Sequence, residues 1–306
     1  MRNNFFDIHA HVYKYPYPFD NSGKLFFPNE EELVRLHDAY GISHAALLVL
    51  ANAEEYVPQS NGEVIDIAKN SNGRFVPFCN IDPRLLGNHP NSKLEILVEH
   101  FKKLGCVGMG EVLPKMDFDD PKLLNLYRAT ELFDMPLLFD MDVNDKRSYG
   151  VYDEMGLKKL RKCLEMFPNL KFIGHGPAFW SEFGTLRDEK DRQGYITYPI
   201  DDEGMIPKLM REYKNLYVDI SAGSGYTALT RDYNYTQKFF NEFPDRIMYG
   251  TDICFADTED RHSKLMNKML DENRISEDIY DKIARENALR ILKLKIVDGK
   301  IVYKNR

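Results

Sequence analysis

A (β/α)8 barrel, the TIM-barrel architecture, is the fold class that this 306-residue sequence predicts. Three observations lead there. Short segments rich in apolar, β-branched and aromatic residues begin 30 to 46 residues apart, and a β-α-β unit takes roughly 30 residues or more. Most of these segments are apolar throughout, as strands must be when helices cover one face and a filled barrel lies against the other. No Gly-x-Gly-x-x-Gly follows the first segment, which removes the main support for an open, doubly wound sheet.

Taken in order, the predicted strands are residues 5–9, 44–50, 75–80, 106–112, 136–140, 170–175, 216–221 and 247–251. Between them run helical patterns. Residues 30–40 place Leu33, Leu36 and Ala39 on one face, open with acids and stop at Gly41. Leu94, Leu97, Val98, Phe101 and Leu104 form a second stripe that ends at Gly105, and Leu157, Leu160, Leu164 and Phe167 form a third, closed by Pro168. Shorter helices are expected at 203–213, 235–243 and 261–270, and a long one at 276–292 with Ser276 at its start. Asp298-Gly299 between alternating residues predicts a short C-terminal hairpin. No linker-like stretch interrupts the pattern, so residues 1–306 are read as one domain. Two connections, 12–29 after strand one and 176–202 after strand six, are longer than a barrel requires and aromatic-rich. As βα loops they emerge at the C-terminal face, where Tyr13 and Trp180 are candidates for a substrate wall.

Composition narrows the function classes. With 41 basic and 48 acidic residues the net charge is −7, and the basic residues are scattered among acids. That argues against a nucleic-acid partner. The longest apolar run, residues 45–51, is far short of the ~20 that span a bilayer. Residues 1–4 lead into the first strand without a signal-like stretch, so a cytoplasmic location is expected. The four cysteines, Cys79, Cys106, Cys163 and Cys254, are too widely spaced for a disulfide framework and read as packing residues.

Chemistry gathers at the strand ends. His9 and His11 close strand one two residues apart, so both imidazoles can converge on one point and bind a divalent metal. Glu111 ends strand four, Asp140 strand five, His175 strand six, and Asp252 follows strand eight. Each is a histidine or carboxylate directly after an apolar run, at the face where a barrel collects reactive groups. The other histidines, His37, His44, His89, His100 and His262, lie in helices, at a strand start or in a loop and read as structural or surface residues.

These segments resemble a known family. Phe-Asp-Ile-His-Ala-His (6–11), Phe-Ile-Gly-His-Gly (172–176) and Arg-Ile-Met-Tyr-Gly-Thr-Asp (246–252) are similar to the amidohydrolase superfamily, in its amidohydrolase-related branch of aminocarboxymuconate-semialdehyde decarboxylase-like enzymes. Asn-Ile-Asp-Pro-Arg (80–84) and Glu-Asn-Ala-Leu-Arg-Ile-Leu (286–292) extend the likeness along nearly the whole chain. The resemblance implies His9 and His11 as paired metal ligands and Asp252 as a ligand able to take a proton from the attacking water. It implies His175 as a ligand or as a catalytic acid or electrophile. Strand five departs from the pattern, with Asp140 where the family has a histidine. A carboxylate still ligates zinc or manganese, and Glu111 resembles a metal-binding carboxylate of other branches.

The expected activity is metal-dependent hydrolysis of an amide, lactone or ester bond in a small molecule, with zinc as the expected ion and manganese the alternative. Two further readings stand beside it. One is non-oxidative decarboxylation of a small carboxylic acid, for which Arg84 is a candidate anchor. The other is a non-catalytic, ligand-binding barrel whose metal site Asp140 has degraded. A homodimer is the default oligomer.

Overall fold

The computed structural model describes residues 4–19, 21–54, 57–143, 149–193 and 195–304; Met1 to Asn3, at the opening from which a cytoplasmic location was expected, lie outside the described residues. A strand overlaps each of the eight apolar segments, the second starting two residues early: β1 (Phe5–Ala10), β2 (Ile42–Leu47), β3 (Phe75–Pro77), β4 (Met109–Val112), β5 (Leu137–Asp142), β6 (Phe172–His175), β7 (Leu216–Asp219) and β8 (Ile247–Met248). Parallel pairing joins β1 to β2 to β3, and β4 to β5 to β6 to β7 to β8. Backbone hydrogen bonds close both remaining seams. Gly110 N–H donates to Cys79 O at 2.8 Å and Cys79 N–H to Gly108 O at 3.0 Å, joining β3 to β4. Ile8 N–H donates to Tyr249 O at 3.0 Å and Asp252 N–H to His9 O at 2.9 Å, joining the end of the ring to its beginning.

The interior is filled as a barrel requires. Phe6, Ile8, Ala46, Val76, Phe78, Leu138, Ile173 and Met248 pack together with the last helix and the C-terminal hairpin, which plug the N-terminal end. That hairpin pairs Leu294–Val297 with Lys300–Tyr303 across Asp298-Gly299, both at positive φ, as the dipeptide predicts. It is sewn to the barrel floor by Ile301 N–H to Gly73 O at 2.8 Å and by His44 Nε2 to Gly299 O at 3.0 Å.

The helices follow local chemistry. In α1 (Glu30–Tyr40) Asn29 and Glu32 form a reciprocal capping box, and Gly41 ends the helix in the left-handed region. Ser276 caps the last helix through Ile279 N–H, though without a reciprocal partner because the third residue is Ile279 rather than an acid. Among the described residues, Asn61–Asn70, Pro121–Leu132 and Ala222–Thr230 are full-length helices outside the predicted set. The first and third begin with Asn, Gly or Ser residues that read as loop, and packing on the barrel overrides that propensity. The long loops also hold structure: Tyr17–Pro18 pairs with Leu25–Phe26 in the first, and Pro177–Ser181 is a short helix in the second. Among the described residues no helix is long and apolar enough to cross a membrane.

Candidate metal centre

Closure of the ring brings the strand-end residues to one place. His175 pairs directly with Asp140 across β6 and β5, so both stand at one level. The His9 and His11 Nε2 atoms lie 3.1 Å apart. Glu111 Oε2 is 3.3 Å from each of them. Asp252 Oδ1 lies 3.7 Å from His9 Nε2 and 3.5 Å from His11 Nε2. Donors about 2.0–2.2 Å from a tetrahedral ion stand about 3.3–3.6 Å from one another. The spacing and chemistry of these four donors therefore fit one divalent ion. His175 Nε2 faces the same space, 3.9 Å from Glu111 Oε1 and 3.8 Å from Asp252 Oδ2. Asp140 offers a donor atom within 4.8 Å of those of Glu111 and His175.

Behind the histidines stands a residue that sequence reasoning passed over. Asp219, fully buried at the end of β7, accepts from His9 Nδ1 at 2.7 Å and lies 3.2 Å from His175 Nδ1. Ser221 Oγ donates to the same carboxylate at 2.7 Å and lies 3.1 Å from His175 Nδ1. One carboxylate thus fixes two imidazoles with Nε2 pointing inward, the support that metal-ligating histidines need. The signal was present: Val218-Asp219-Ile220-Ser221 ends an apolar run, just as the other strand ends do.

The electrostatics follow from burial of so much charge. Burial alone would depress the His9 imidazole, but Glu111, Asp252 and Asp219 raise it well above its ordinary value. His175 is also raised, against burial and the neighbouring His9, by Asp219 and Glu111. Glu111 and Asp219 are held well below the usual carboxylate range, the facing histidines outweighing desolvation. Asp140 goes the other way, pushed well up by burial and by the Glu111 charge.

The expected substrate residues take other positions. Arg84 is held by Glu54 at 2.5 and 2.6 Å and by Asp82 at 2.6 and 2.7 Å, an engagement that braces the loop after β3. Trp180 is 1% exposed, and its Nε1–H donates to Asp219 O at 3.1 Å, so it braces the centre from beneath instead of walling a substrate. Buried Tyr13 donates to Val57 O and stacks on Phe27, and it is Phe27 that approaches the His11 ring, at 4.9 Å. Of the remaining histidines, His37 is buried facing Asp7, His44 holds the hairpin, and His262 bonds Ala222 O. Cys79, Cys106 and Cys163 are buried free thiols, while Cys254 is half-buried beside Asp252. The centre reaches solvent at Asp252, whose side chain is 18% exposed, and a cleft of about 410 Å³ adjoins it, lined by Thr251, Asp252, Phe255, Ala222 and His262 among others.

Comparison with known proteins gives one family match and a set of similar structures. The amidohydrolase family model matches residues 153–294, the stretch that carries His175, Asp219 and Asp252. A TIM-barrel protein from Bordetella bronchiseptica, 15% identical, has a TM-score of 0.65, with 94% of this chain and 98% of that one covered. A dihydroxybenzoic acid decarboxylase from Polaromonas sp. JS666, with bound manganese and the inhibitor 2-nitroresorcinol, is 16% identical at a TM-score of 0.60, covering 97% and 98%. A probable 2-pyrone-4,6-dicarboxylic acid hydrolase from Acinetobacter baumannii, with citric acid bound, is 13% identical at a TM-score of 0.54, covering 94% and 99%. No curated protein matches the chain. The structural likenesses carry the barrel fold, and the family match makes residues 153–294 similar to the amidohydrolases.

Proposed function

We propose that the protein is a metal-dependent hydrolase cleaving an amide, lactone or ester bond of a small molecule. The observation that carries this reading is the donor set at the strand ends: His9, His11, Glu111 and Asp252 face one space, with His175 beside them. The candidate cationic anchor, Arg84, is engaged by two acids of its own. With that anchor engaged, a neutral carbonyl polarised by an ion and attacked by water suits the centre better than a carboxylate that needs a cationic side chain. A divalent ion, zinc first and manganese as the alternative, would be held by His9, His11, Glu111 and Asp252, and supplies Lewis-acid polarisation and a water acidified to a pKa of about 7. Asp252, facing both histidines and open to solvent, orients the attacking water and takes its proton. His175 Nε2, fixed by Asp219 behind it, points at the same space and delivers a proton to the leaving group.

Decarboxylation is the second reading, and the likeness to the Polaromonas decarboxylase structure favours it. A panel of lactones, esters and amides, assayed beside carboxylated aromatics monitored for carbon dioxide release, separates the two. Hydrolysis by the wild type, reduced about 10²–10⁴-fold in Asp252→Asn, is the expected result. Carbon dioxide release without hydrolysis would replace this reading with the second, and full activity in Asp252→Asn would remove the base.

A further inference from the structure

Arg231 ends the helix Ala222–Thr230 as its C-cap. Its Nε, Nη1 and Nη2 atoms are all buried, and among the described residues none of them has a hydrogen-bond partner. The acids nearby are engaged elsewhere. Asp191 accepts from Tyr198 Oη at 2.6 Å, Asp232 caps the following helix through Asn234 and Tyr235 N–H at 3.0 Å, and Asp201 pairs with Arg187 at 2.6 and 2.8 Å. The Tyr198 ring, its centroid 5.7 Å from Arg231 Cζ, offers a cation–π contact but no counter-charge, and Arg187 lies over the same ring at 4.1 Å. Burial, the leading effect, accordingly lowers the Arg231 pKa. A buried cation without an anion is costly.

The helix sets positions 224, 228 and 231 on one face. Ser224, Ala228 and Arg231 line one cavity there, together with Trp180 and Ser181 of the short helix after β6 and Tyr195 of the long 176–202 connection. Ser224 is 4% exposed, and its Oγ is a second buried group with no hydrogen-bond partner. It stands in the first turn of its helix, where the N-cap Ser221 gives its hydroxyl to Asp219 instead of to the helix. The positive end of the helix therefore lies at the same cavity. The free space is about 10 Å³, which is room for one water-sized occupant.

We propose that this cavity binds a single chloride ion, held by the Arg231 guanidinium and the Ser224 hydroxyl. Both groups donate, and a halide accepts from both while supplying the missing negative charge. A water in the same place would serve the hydrogen bonds and leave the charge. The space suits a monatomic anion and is too small for sulfate, phosphate or the body of an organic acid. None of the strand-end histidines and carboxylates lines the cavity, so the site is separate from the metal centre. Trp180 touches both, because it lines the cavity and donates to Asp219 O at 3.1 Å. The ion fastens the helix after β7, the short helix after β6 and the 176–202 connection to one another.

The test sets chloride against gluconate, an anion too large for the cavity, at constant ionic strength. Wild-type protein exchanged into gluconate should melt several degrees higher, and saturably, as sodium chloride replaces it, and bromide should act in the same way. In Arg231→Met, which removes the charge and keeps most of the volume, the melting temperature should not depend on the anion. Ser224→Ala should need a several-fold higher chloride concentration for the same rise. A bromide-soaked crystal of the wild type should show an anomalous peak between Arg231 and Ser224. Equal wild-type melting temperatures in chloride and gluconate overturn the site, and so does an anion response that persists in Arg231→Met. A water in place of bromide at this position overturns it as well, whether or not the variants fold.

Discussion

Asp219 shows how much of the centre depends on a residue that stands behind its histidines. It binds His9 at 2.7 Å, receives Ser221 and lies beside His175, while its backbone carbonyl is held by Trp180. Replacing it with Asn keeps the volume but removes the charge that sets both imidazoles. Metal affinity in Asp219→Asn should fall about 10–100-fold, measured by competition with a chromogenic chelator; unchanged affinity would reduce Asp219 to a packing residue. Two motif glycines have the same logic. A Cβ on Gly250 would collide with Asp219 Oδ1, and one on Gly176, whose φ is +102°, with Asp140 Oδ1. The glycines of Tyr-Gly-Thr-Asp and Gly-His-Gly therefore make room for carboxylates contributed by other strands.

At the scale of elements, the C-terminal hairpin and α1 give the clearest tests. His44 anchors the hairpin, and its pKa is lowered, chiefly by burial and further by Arg74 and Arg285, against the Gly299 carbonyl. His262, buried against Ala222 O, is lowered for the same leading reason. A folded-state value below the unfolded one means that the unfolded chain takes up the proton first. The stability these neutral imidazoles contribute is complete above the unfolded value of about 6.5 and is lost as pH falls through the folded values. The contribution of these two imidazoles to the melting temperature should therefore fall between pH 7 and pH 5, so that His44→Gln, which can still donate to Gly299 O, gains on the wild type as pH is lowered. A melting-temperature difference between wild type and His44→Gln that does not change with pH over this range would count against it. For α1, Asn29→Ala removes the capping box and should cost about 1 kcal/mol, read by denaturant unfolding.

For the whole molecule, the centre and the closure of the barrel are one structure. The candidate ligands sit on or just beyond β1, β4, β5, β6 and β8, and the seam between β8 and β1 runs through His9 O and Asp252 N. An ion held there ties distant parts of the chain together and binds the folded state alone. At a free concentration 100 times its dissociation constant such an ion stabilises by about 2.7 kcal/mol. Stripping with chelator should lower the melting temperature by several degrees, with recovery on adding zinc or manganese. An identical melting curve before and after stripping would show that the protein folds without metal assistance.

By itself the sequence determined the repeating strand spacing, the helix stops at Gly41 and Gly105, the Asp298-Gly299 hairpin and the strand-end set His9, His11, Glu111, Asp140, His175 and Asp252. These are properties of local pattern: period, turn chemistry, and a polar residue at the end of an apolar run. Only the tertiary structure decided which of the loop residues reach the centre. Trp180 and Arg84 carry the chemistry of binding residues, yet the partners that the fold gives them are a backbone carbonyl and two carboxylates. The division of Glu111 and Asp252 between two groups of histidines, and the shared support of Asp219, also follow from ring closure. Direction in space is set by residues scores of positions apart, and no local spacing encodes it.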